Sequence, residues 1–71
     1  MSDREEVIRE RLEGIAEDLR ELEYESLARR AADPEGDDAA EAREAERRAA
    51  KARRAVVRAI GALGGAEEGS W

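Results

Sequence analysis

Large aliphatic side chains recur in the first half of the chain at Ile8, Leu12, Ile15, Leu19 and Leu22, at spacings of 4, 3, 4 and 3. That rhythm places them in one narrow stripe of an α-helix. The second half repeats it with smaller residues: Ala42, Ala45, Ala49, Ala52, Val56, Ala59 and Leu63 follow one another at 3, 4, 3, 4, 3 and 4. This is a heptad seam built mainly of alanine, which lets two helix axes approach closely. Val57 and Ile60 widen the apolar surface toward its end. The pattern predicts two helices, at about 2–32 and 38–63, joined by a turn at 33–37.

Local signals agree with those boundaries. Ser2 with Glu5 has the spacing of a capping box, and Asp38 with Glu41 repeats it. Arg29 and Arg30 lie near the end of the first helix, where cations are favoured. Pro34 disfavours helical geometry at Asp33, and Gly36 can take a positive φ. Asp33 as N-cap with Pro34 as first helical residue is an alternative start. Gly36 and Asp37 would then sit poorly in the first turns, so a turn at 33–37 is preferred. Gly64 or Gly65 is the expected residue that closes the second helix. Gly14, in mid-helix, costs about 1 kcal/mol relative to alanine, and is expected to be tolerated or to permit close helix approach.

A hairpin requires the two stripes to meet. If residue i faces residue 71 − i, Ile8 meets Leu63, Leu12 meets Ala59, Ile15 meets Val56, Leu19 meets Ala52 and Leu22 meets Ala49. The pairs are mostly large against small, as facing layers need in order to interdigitate. The expected fold class is therefore all-α: an antiparallel two-helix hairpin that assembles into a helical bundle. Residues 1–65 form the hairpin and 66–71 a tail.

Charge supports the pairing. Residues 1–33 carry six basic and eleven acidic side chains, net −5, whereas residues 38–63 carry seven basic and four acidic, net +3. An acidic helix beside a basic one favours packing of helix 1 on helix 2 over like on like.

At 71 residues the chain buries only a modest core. An isolated hairpin leaves Val7, Tyr24, Leu27, Val57 and Ile60 off its seam or at its margins. These residues are the candidate oligomer interface. The expected partner is a second copy in a cyclic homo-oligomer, a two-fold dimer first and a trimer or larger ring second. A helical module that binds another protein is the alternative.

Candidate chemistry is sparse. Cysteine and histidine are both absent, so the chain has no disulfide, no thiolate nucleophile and no histidine-containing metal site. Ser2, Ser26 and Ser70 have no histidine to activate them. Glu17, Glu21 and Glu25 share a helix face but alternate with arginines, the arrangement of a solvated surface. No catalytic, cofactor or metal residue and no small-molecule ligand is expected. Arg43, Arg47, Arg48, Lys51, Arg53, Arg54 and Arg58 could line a nucleic-acid groove. Glu41, Glu44 and Glu46 interrupt that run, the chain has a net charge of −6, and stacking aromatics are missing, all of which argue against it. No stretch approaches the ~20 apolar residues of a membrane span. The charged N-terminus lacks a signal-peptide apolar region. The chain is expected to be soluble, and cytoplasmic if expressed recombinantly.

The sequence ends in Gly69-Ser70-Trp71, its only tryptophan standing last. Gly-Ser looks like a linker, and a terminal tryptophan looks like an absorbance handle. Together with the Met-Ser start, the paired capping boxes and the dense Glu/Arg/Ala helices, this tail resembles de novo designed helical proteins, in particular symmetric homo-oligomers. The resemblance implies a structural purpose and no evolved biochemical activity.

Overall fold

The structure, a computed structural model, describes residues 3–65. The cap expected at Ser2 and the tail at 66–71 lie outside the described residues. The chain folds as an antiparallel helical hairpin. α1 spans Asp3–Ala32 and α2 spans Asp37–Ile60. α2 runs on into a widened final turn over Gly61–Gly65, which ends with Gly64 at a φ of 104°. A side chain is strained at that φ, and glycine is not, so the helix stops here.

The connection is shorter than the sequence implies. Asp33 to Gly36 is a turn closed by the Gly36 N–H donating to the Asp33 carbonyl at 3.1 Å, with Pro34 in its second position. Proline sets the φ that this place requires. Gly36 does not take a positive φ. It is extended, with φ −80° and ψ 169°, and acts as the N-cap of α2. That conformation is open to any residue, and a β-carbon there would only require the exposed Asp33 carboxylate to swing aside.

The capping box expected at Asp38 and Glu41 is not used. α2 starts at Asp37, and no side-chain hydrogen bond caps it. Asp37 and Asp38 both fall in its first turn, where carboxylates favour the positive end of the helix dipole. Asp38 reaches back to Arg29 of α1 across 3.5 Å.

The core between the helices is made of small side chains. Ala39, Ala42 and Ala49 are its buried apolar residues, and Ser26 is the largest side chain fully buried. On α1 the packed positions are Arg9, Leu12, Ala16, Leu19, Glu23, Ser26 and Arg30, again at alternating spacings of 3 and 4. On α2 they are Ala39, Ala42, Glu46, Ala49, Arg53, Val56, Ile60 and Leu63.

Both helices are thus rotated from the expected seam. Leu12, Leu19, Val56, Ala59 and Leu63 are half-buried and Ala49 is buried. Ile8, Ile15, Leu22 and Ala52, expected inside the hairpin, stand exposed at its edge. The row one position further round each helix takes their place, and its charged members explain the choice. Glu23 accepts two hydrogen bonds from Arg53, through Nε and, at 3.4 Å, through Nη2, while Arg30 pairs with Glu46 at 3.1 Å. These links need both rows turned toward the partner helix. Each pair sums to 76, where the seam arithmetic gave 71. Long side chains leaning toward the N-terminus of their own helices account for much of that offset.

Candidate functional site

Rotation of the helices divides the hairpin into two unlike sides. Each helix carries a buried stripe with one row on either flank. The helices have the same hand and run antiparallel, so matching flanks emerge on the same side of the pair. One side carries Ile8, Ile15 and Leu22 from α1 beside Ala45, Ala52 and Ala59 from α2. Ile8, Ile15 and Leu22 are 38%, 46% and 41% exposed, and Ala52 is exposed between its half-buried neighbours. This side is apolar up to the Arg29–Asp38 pair at its turn end: a row of three large branched side chains next to a row of three methyl groups.

The opposite side is mostly charged. Its rows are Glu6, Glu13, Arg20 and Leu27 from α1 and Arg43, Ala50 and Val57 from α2. Leu27 and Val57 are its exposed large apolar residues. The pairing of Glu23 with Arg53 sets Val57 about one turn above that link and Leu27 one turn below it. Eight residues of helix separate the two levels, about 12 Å.

The five residues expected to form an interface are therefore not gathered into one patch. Val7 and Tyr24 point outward from α1, Leu27 and Val57 share a flank at different heights, and Ile60 is half-buried against α1. The contiguous apolar surface is built instead from residues that the periodicity assigned to the intrachain seam. The pattern identified these residues as apolar partners for something. It did not separate a neighbour within the chain from one outside it.

Electrostatics hold the hairpin without preparing a reactive group. The Arg53 hydrogen bond holds the Glu23 carboxyl below the usual carboxylate range, against the opposing effect of desolvation. The same bond raises the Arg53 guanidinium, which stays charged. Both side chains are substantially covered, 17% and 26% exposed. Of the basic run, Arg53 is committed to Glu23 and Arg47 to Glu44 at 3.0 Å, on the same helix. Among the described residues no group of three or more acidic side chains is placed to hold a metal ion, and no helix is long and apolar enough to cross a membrane.

Sequence reasoning missed Ser26, Glu23, Arg30 and Arg53 as packed positions. Ser26 is 0% exposed, and its hydroxyl has no hydrogen-bond partner among the described residues. A signal was present: Leu12, Leu19 and Ser26 stand seven apart, in line with Ala42 and Ala49 on the other helix. Serine fits there because it is small. The chain matches no protein-family model, no curated protein and no solved structure.

Proposed function

We propose that this chain is a structural, self-assembling unit: a hairpin that completes its core only as part of a homo-oligomeric helical bundle, with no reaction to catalyse. One observation carries the reading. Among the described residues nothing larger than Ser26 is fully buried, while Val7, Ile8, Ile15, Leu22, Tyr24, Leu27 and Val57 all stand exposed. Burying a large aliphatic side chain contributes roughly 1.5–3 kcal/mol, and small domains depend on several such burials. A lone hairpin forgoes them, and a second copy supplies them. The resemblance to designed symmetric oligomers points the same way. A two-fold dimer, making four helices, is the simplest closed form.

The test is solution mass by light scattering together with thermal melting at several concentrations. A dimer has twice the chain mass of 7.9 kDa, and its melting temperature rises with concentration because folding is linked to association. A trimer would keep the reading and change the symmetry. A fully helical species at monomer mass, melting at one temperature at every concentration, would overturn it and favour a solitary binding module.

A further inference from the structure

The structure carries the self-assembly reading one step further, to a particular surface and geometry. We infer that the face formed by Ile8, Ile15, Leu22, Ala45, Ala52 and Ala59 receives a second copy of this chain about a two-fold axis parallel to the helices. In that arrangement α1 of each protomer lies antiparallel on α2 of the other. The inference rests on the proposed self-assembly.

Two features select this occupant and this axis. The first is shape. Two hairpins laid face to face have two kinds of two-fold axis available in the plane between them. An axis across the helices puts α1 on α1, so large side chains meet large and methyl groups meet methyl groups. An axis along the helices puts the row of Ile8, Ile15 and Leu22 onto the partner's alanine row. It leaves every residue at its own height, so the heights fixed by the Glu23–Arg53 and Arg30–Glu46 pairs apply across the interface too. On those heights Leu22 lies nearest the partner's Ala52 and Ile15 nearest the partner's Ala59. Each large side chain thus meets small ones across the interface.

The second feature is charge. The same axis places the acidic helix against the basic one, net −5 against net +3 over residues 1–33 and 38–63, and the crossed axis places like against like. On the rim, Glu25 and Arg48 form no ion pair with another described residue, and this axis brings Glu25 of each protomer close to the partner's Arg48.

Two experiments test the inference. In the first, Ile15→Glu with Leu22→Glu is compared with Leu27→Glu plus Val57→Glu, which alters the opposite side by the same charge. The first pair should weaken association by roughly a hundredfold or more, since an interface strongly resists burying unpaired carboxylates. The second pair should leave the oligomer mass unchanged. The reverse result would overturn the inference, while an oligomeric wild type would keep the self-assembly reading. A monomeric wild type would remove that reading itself.

The second experiment does not depend on destabilised variants. The chain has no cysteine, so Leu22→Cys and Ala52→Cys can be made as separate single-cysteine proteins, mixed and oxidised. The mixed disulfide should form in preference to either homodisulfide. Equal yields of all three, or dominance of the Leu22→Cys homodisulfide, would exclude the proposed axis even if the protein dimerises.

Discussion

Gly14 shows how far a single position can be read. Its place in mid-helix allows either tolerance or close approach of a neighbour. The structure removes the second option within the chain, because a β-carbon there would meet nothing within 4 Å. Gly14 also lies away from both the packed stripe and the apolar side. Its effect is thus the backbone entropy of glycine alone. Gly14→Ala is expected to stabilise the protein by about 0.5–1 kcal/mol, read from chemical denaturation, with no change in oligomer mass. A loss of stability would place an unseen neighbour against that surface. Gly36 is the contrasting case. Its presence in a turn was legible, but its conformation was not: the structure holds it extended, at a φ open to any residue, where the sequence suggested a positive φ.

At the scale of the element, the existence, direction and approximate ends of both helices follow from periodicity, capping residues and the Asp33–Gly36 turn. The rotation of each helix about its axis does not. A heptad offers more apolar width than one antiparallel neighbour can cover. Which part faces inward was decided by residues that periodicity treats as polar: Glu23, Arg30, Glu46 and Arg53. Hydrogen bonding by Arg53 keeps the Glu23 carboxyl below its ordinary range. A carboxyl depressed in the folded state contributes stability that is fully present above its unfolded value, about 4.3, and is lost as pH falls through the folded value. Glu23→Gln should therefore lower the melting temperature at neutral pH. The gap from wild type should narrow steadily as pH falls below that range. A gap of constant size down to strongly acidic pH would mean that the carboxylate charge contributes nothing to helix pairing. The exposed Arg29–Asp38 pair should matter less, because solvent screens it and its side chains pay to be held in place.

For the whole molecule, the dimensions state the problem that assembly solves. The Cα atoms span 51 × 25 × 12 Å, a slab one helix thick, and the radius of gyration is 15.6 Å where a compact chain of this length would have about 11 Å. A slab has no second layer to enclose its large side chains. The sequence conveyed the large-against-small complementarity but assigned all of it to the hairpin. The fold divides it between an inner stripe and an outer face. Two alanines that the periodicity treats alike separate these roles. Ala49 is 3% exposed between the helices, so Ala49→Leu must overpack the hairpin itself, at a cost of about 1–3 kcal/mol whatever the protein concentration. Ala52 is exposed within the chain, and a leucine there meets no crowded neighbour until a second copy arrives. Ala52→Leu should then crowd the partner's Leu22. Association should weaken by a similar ~1–3 kcal/mol, seen as a melting temperature that falls most where the protein is dilute. If Ala52→Leu instead melts with the wild type at every concentration, Ala52 faces water in the assembled state. Some other surface must then hold the copies together.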